Sequence, residues 1–210
     1  MDIPEYIAQL GDADARVRLR AAGDIFDLGT RLCDPILEKW LADEELAGLL
    51  VRVEGEVNVP GAAGDGPPRL RPSARSCAAT VGIAVQPGTF EKVREANGEP
   101  ELARVPPDQD AMEFELEFSG HVRIDVLTTH TPGGTGAIAR YLGRFGEGIQ
   151  QVEFDVHDVD AASSILRRSF GLEPIYPATR AGANGTRVNF FLVAGSDGRK
   201  ILIELVEKAG

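Results

Sequence analysis

The order strand, helix, strand, strand, strand reads twice along this chain, over Ala79–Leu127 and again over Gln150–Glu207. A duplicated unit of this kind confines the fold more than any single element, because two equivalent sheets can wrap around a shared groove. In the second copy Gln150–Val156 alternates, with Val152, Phe154 and Val156 on one side and Gln151, Glu153 and Asp155 on the other. That is the period-2 pattern of a strand with two different faces. Asp160 is the expected cap of the next helix, which runs to Phe170 and stops at Gly171. Extended pieces follow near Glu173–Tyr176, Thr186–Val193 and Lys200–Glu207. The first copy reads as a strand at Ala79–Val85, a short helix within Gly88–Gly98, and strands at Glu101–Val105, Ala111–Phe118 and Val122–Leu127. In Ala111–Phe118 the apolar Met112, Phe114, Leu116 and Phe118 alternate with Glu113, Glu115 and Glu117. The acidic side is expected to face water, since burying several carboxylates in a row is costly.

The flanks are of different character. Residues 4–51 read as helices: Ile7 and Leu10 form one apolar patch, and Val17, Leu19, Ala22, Ile25 and Leu28 form a stripe ending at Gly29 or Thr30. Pro35 is expected at the start of a further helix, and Glu44–Leu50 as a last short one. The stretch LGDADARVRLRAA resembles one helical repeat of the HEAT type, and one such unit must pack on the rest of the chain or on a partner. Leu50–Val59 is a candidate strand, and Val59–Ser73 is a Gly/Pro-rich linker carrying Arg69 and Arg71, with Arg75 just beyond it. The expected organisation is a helical region over 1–53, a linker over 54–76, and an α+β domain over 77–210 made of two βαβββ modules, 79–128 and 148–207.

Composition narrows the functions. A formal net charge of -11 argues against nucleic acid or an anionic membrane as the partner. No run of 18 apolar residues exists and the first residues lack signal-peptide character, so a cytoplasmic protein is expected. Cys33 and Cys77 read as buried thiols. His121, His130 and His157, the only histidines, are too scattered for a His-rich metal cluster and are expected to play no direct catalytic role.

Five stretches carry a resemblance to a known family: VRIDVLT, TGAIARYL, GEGIQQVEFDV, TRVNF and ILIELVE, with TVGIAVQPGTFEKV resembling the opening of the first copy. They resemble the vicinal oxygen chelate superfamily, which includes glyoxalase I, bleomycin resistance proteins and ring-cleaving dioxygenases, and within it methylmalonyl-CoA epimerase. The resemblance runs from about Ala79 to Glu207 and leaves the first 78 residues unmatched. It implies paired βαβββ modules forming a curved, half-open barrel, a homodimer, and a divalent metal held by one residue from each of four strands. Carried over position by position, the metal-binding residues fall on Thr80, Asp125, Gln151 and Glu204. Thr80 and Gln151 stand where the family has histidines. The implied ligands are Asp125, Gln151 and Glu204, for Mg²⁺, Mn²⁺, Ni²⁺ or Zn²⁺. An all-oxygen set suits Mg²⁺, Mn²⁺ or Ca²⁺ better than Zn²⁺.

Read from the residues, Gln151 and Glu153 share one strand face, and Glu204 shares a face with Leu202 and Val206. Carboxylates gathered in one groove repel each other, and repulsion plus burial raises at least one pKa toward the range of an acid/base catalyst. The expected function is binding of a small organic ligand. Thr80, Asp125 and Gln151 would line its site, and Glu204 or Glu153 would act as base in an isomerase or lyase reaction on a small carboxylate, carbonyl compound or thioester. The alternative is a catalytically inactive, metal-free protein that binds or sequesters a small molecule.

Overall fold

The structure is a computed structural model and describes residues 2–53, 77–118, 121–196, 198 and 200–208. The expected linker, with Arg69, Arg71 and Arg75, lies outside the described residues, as does most of the candidate strand after Leu50. The first copy supplies β1 (Ala79–Ala84), α4 (Pro87–Ala96), β2 (Met112–Phe118) and β3 (Val122–Thr128). The second supplies β4 (Gly148–Asp155), α6 (Val159–Phe170), β5 (Arg180–Ala181), β6 (Arg187–Ala194) and β7 (Lys200–Glu207). Between them lies α5 (Ala137–Phe145), and ahead of them α1 (Ile3–Leu10), α2 (Ala15–Ala42) and α3 (Glu44–Leu49).

All seven strands join one curled sheet in the order β2-β3-β1-β4-β7-β6-β5. The copies meet where β1 and β4 pair antiparallel. In each copy the first strand lies parallel to the last, β1 beside β3 and β4 beside β7, and the hairpin partner lies outside it. The sheet is therefore nearly palindromic, with β1, β3 and β2 mirrored by β4, β7 and β6. This is the α+β half-barrel expected from the duplication. Its two edges are linked across the opening. Arg104 N donates to Asn184 Oδ1 at 2.9 Å, Asn184 N donates to Arg104 O at 3.0 Å, and Gln109 Nε2 donates to Ala181 O at 3.2 Å.

Residues 101–105, expected as a strand, make no ladder. Ala103 N donates to Glu113 O at 2.9 Å, and the segment then turns away to meet Asn184. Near Glu173–Tyr176 the second copy likewise keeps only an isolated bridge, Pro174 with Phe191. Leu50 and Arg52 also form only isolated bridges, with Val156 and Cys77.

The convex face of the sheet carries the core. Val81, Ile83, Ile124, Val126, Val152, Phe154, Ile203 and Leu205 are buried there, within one apolar cluster that includes residues of α1, α2, α4 and α6. The helical arm packs in cis onto this face. Trp40 meets Phe154 edge-on at 6.4 Å, and Phe90 of α4 meets Phe114 at 4.8 Å. α2 is unbroken through Gly29, contrary to the expected interruption. Gly29 serves close approach: a Cβ there would lie 2.7 Å from both methyls of Val81. Pro35 sits inside α2 rather than at a helix start. The cap of α6 is Asp158, whose Oδ1 accepts from Ala161 N at 2.9 Å, rather than Asp160, which pairs with Arg187. Gly171 ends the helix at φ 63°. Cys33 and Cys77 are buried and not disulfide-bonded, and burial pushes the Cys33 thiol up to about 12. Among the described residues no helix is long and apolar enough to cross a membrane.

Candidate functional site

The concave face is the reverse of the core pattern, and strand register places its residues in rows. Glu115 of β2 lies opposite Asp125 of β3, which lies beside Gly82 of β1, then Gln151 of β4, then Leu202 of β7. In the next row Thr80 faces Glu153, which faces Glu204, which faces Phe190. Gly82 makes the first row workable. A Cβ at that position would come within 2.6 Å of Gln151 Cγ and 3.1 Å of Leu127 Cδ1. Its absence leaves the space over β1 that Gln151 Cγ fills. α5 closes one end of this face, packing Ile138 and Leu142 on Ala84 and Leu127, and Tyr141 donates its hydroxyl to Ile149 O at 2.6 Å.

The result is a cavity of about 870 Å³. Asp125, Gln151, Glu153 and Glu204 all line it, so four of the five expected site residues converge. Thr80 shares their face but is buried and forms no part of the cavity wall. Glu113 and Glu115 join the wall and were expected in open water. Arg140, Arg180 and Lys208 are the cationic residues of the lining, and Tyr176 and Phe190 give an aromatic pair with ring centroids 5.9 Å apart. The three histidines are exposed and do not line the cavity.

Gln151 is the centre of the hydrogen bonding. Its Nε2 donates to Glu204 Oε2 at 2.6 Å and to Glu153 Oε1 at 3.0 Å. Burial pushes Glu153 up to about 8, against the lowering effect of the Gln151 bond. It pushes Glu113 up to about 7. Glu204 and Asp125 are raised well above the ordinary carboxylate range, by burial first and then by the charges around them. The floor therefore holds protons near neutral pH, as a carboxyl must to act as an acid or to trade a proton with a weak carbon acid.

The donor set does not fit a divalent cation. The Gln151 amide places its two N–H groups against Glu153 and Glu204, on carboxylate oxygens a cation would need. Thr80 is buried and does not line the cavity. Among the described residues no three His, Cys, Asp or Glu side chains are grouped to hold a metal ion.

No family model matches the chain, and no curated protein sequence does. Solved structures do match. The methylmalonyl-CoA epimerase from Mycobacterium tuberculosis is 32% identical over 62% of this chain and 87% of its own, with a TM-score of 0.51. A Streptomyces coelicolor methylmalonyl-CoA epimerase variant in complex with 2-nitronate-propionyl-CoA is 26% identical over 62% of this chain and 96% of its own, TM-score 0.50. A methylmalonyl-CoA epimerase in complex with methylmalonyl-CoA and NH4+ is 27% identical over 62% of this chain and 93% of its own, TM-score 0.50. With a palindromic sheet, a cavity on its concave face and these relatives, the chain belongs to the vicinal oxygen chelate superfamily, beside the methylmalonyl-CoA epimerases, and carries a helical extension ahead of the shared fold.

Proposed function

We propose that the domain over 77–210 binds a small organic ligand in this cavity and moves a proton at a carbon beside its carbonyl group, as an epimerase-type isomerase does. The observation that carries the reading is the Glu153–Gln151–Glu204 bridge on the floor of the cavity, where burial raises both carboxyls. One of the two, in its ionised form, takes the proton. The C–H bond breaks, an O–H bond forms on the carboxyl, and the electron pair moves onto the carbonyl oxygen. The neutral neighbour gives its own proton to the opposite face of the carbon, which inverts the centre, restores the carbonyl and leaves that carboxyl ionised. Gln151 holds the two carboxyls in register and acts as a positioning residue. The relatives in complex with methylmalonyl-CoA and with 2-nitronate-propionyl-CoA support a thioester as the first compound to try.

A second reading keeps the ligand and drops the turnover. It is favoured by the same Gln151 amide, which ties down both candidate bases, as in a metal-free sequestering protein. Proton exchange separates the two. The full chain is incubated with propionyl-CoA or methylmalonyl-CoA in D2O, and the hydrogen beside the carbonyl is followed by NMR. Catalysed exchange that rises with pH toward about 8 is expected, with a fall of roughly 10²-fold or more in Glu153→Gln or Glu204→Gln. Binding without exchange leaves only the second reading, and exchange unaffected by both substitutions overturns the assignment of the bases.

A further inference from the structure

Among the described residues, the carboxyls on the floor form no salt bridge, although the charge of Arg123 acts on Glu153. Arg180 pairs with Asp108, Lys208 with Asp155, and Arg140 donates to the Thr135 carbonyl. Arg123 is held by Asp155 and the Ala79 carbonyl. Among the described residues, no lysine or arginine bonds to Glu113, Glu115, Asp125, Glu153 or Glu204. Gln151 bonds Glu153 and Glu204 through its two N–H groups, so it has none left for the first module's carboxyls.

Asp125 is the second observation. It is 8% exposed, lines the cavity, and has no hydrogen bond or ion pair. A buried carboxyl aimed into a cavity without a donor is a costly arrangement, stabilised once a ligand brings a donor to it. The cavity is far larger than a metal ion needs, and beside the carboxyls its lining includes the apolar and aromatic Leu202, Val206 and Phe190, with Arg140, Arg180 and Lys208 also in it. A cationic head with an apolar body matches this division.

Resting on the ligand-binding reading above, we propose that the buried end of the ligand carries a protonated amine. It is held at Asp125 with Glu113 and Glu115 beside it, and the ligand body lies on Leu202, Val206 and Phe190. The amine donates N–H bonds to Asp125, which lines the cavity without a donor of its own.

The test is calorimetric titration of the full chain with phenethylamine, its neutral isostere 2-phenylethanol, the anion phenylacetate, and Mg²⁺ or Mn²⁺ alone. The expected result is that phenethylamine binds at least about tenfold more tightly than 2-phenylethanol. The preference should shrink to under about threefold in Asp125→Asn and also drop in Glu113→Gln, each checked for a wild-type melting curve. Equal affinity for the alcohol, preference for phenylacetate, or an amine preference surviving both substitutions overturns the proposal. Stoichiometric metal binding without amine binding overturns it as well. Thioester exchange in the absence of amine binding rejects the ammonium alone and leaves the proposed reaction standing. Failure of every organic probe and of the thioesters rejects both.

Discussion

Replacing Glu153 by Gln isolates the electrostatics of the cavity floor. The Gln side chain keeps an oxygen that can accept from Gln151, so the hydrogen bond survives while the ionisable group is lost. In the fold, burial pushes Glu153 from 4.5 up to about 8. In the unfolded chain the same carboxyl titrates at its ordinary value, roughly 4.3. Between these values the folded state holds a proton that the unfolded state has released, so stability falls as pH rises. The stabilising contribution is fully present below about pH 4.5, is lost progressively, and is gone above about pH 8. Each unit of separation corresponds to about 1.4 kcal/mol, so the full span is of order 5 kcal/mol. Part of that span is shared with Glu204, Glu113 and Asp125, whose carboxyls are raised too. Urea unfolding between about pH 5 and about pH 9 reads the difference. Glu153→Gln should match the wild type within about 1 kcal/mol at the acid end and exceed it by roughly 2–4 kcal/mol at the alkaline end. Parallel stability curves for the two proteins would refute the reasoning, because they would mean that Glu153 titrates alike in the folded and unfolded chains.

Three further outcomes are expected. Trp40→Ala removes a fully buried indole from the contact with Phe154 and should cost about 3–5 kcal/mol in urea unfolding, with the helical arm and the sheet melting in one transition. Gly82→Ala should push Gln151 off Glu153 and Glu204, lower thioester exchange by roughly 10²-fold, and shift the Gln151 side-chain amide resonance, while the fold persists. Asp158→Ala should lose about 1 kcal/mol of thermal stability through the α6 cap, whereas Asp160→Ala, at the exposed Arg187 pair, should lose less.

The features legible in the sequence were local ones. The alternation in β4, the αL stop at Gly171 and the duplicated element order each depend on residues close together in the chain. The resemblance then placed Asp125, Gln151 and Glu204, and these line one cavity. What escaped was decided by the partner element. Gly29 reads as a helix breaker until β1 is seen against it, where the missing Cβ makes room for the Val81 methyls. Pro35 reads as a helix start because it suits a first turn, yet the helix continues through it while Cys33 and Leu37 are buried on either side. The local rule is overridden by apolar burial on both sides of the proline.

The same logic explains the acidic strand. Glu113, Glu115 and Glu117 alternate with apolar residues, and a lone strand would turn them to water. The alternation fixes that the three share a face, but it cannot say what covers that face. Register does: Glu115 stands opposite Asp125, and the half-barrel curls the second module over both. Glu115 stays exposed, while Glu113, opposite Leu127, is half-buried and burial pushes its carboxyl up to about 7. In a duplicated barrel the outward side of one strand becomes the inner wall of the whole. An acidic alternation in either copy is therefore a candidate ligand surface before it is a solvated one. The equivalent strand of the second copy, β6, presents Val188 and Phe190 to the same space, where β2 of the first copy presents Glu113 and Glu115.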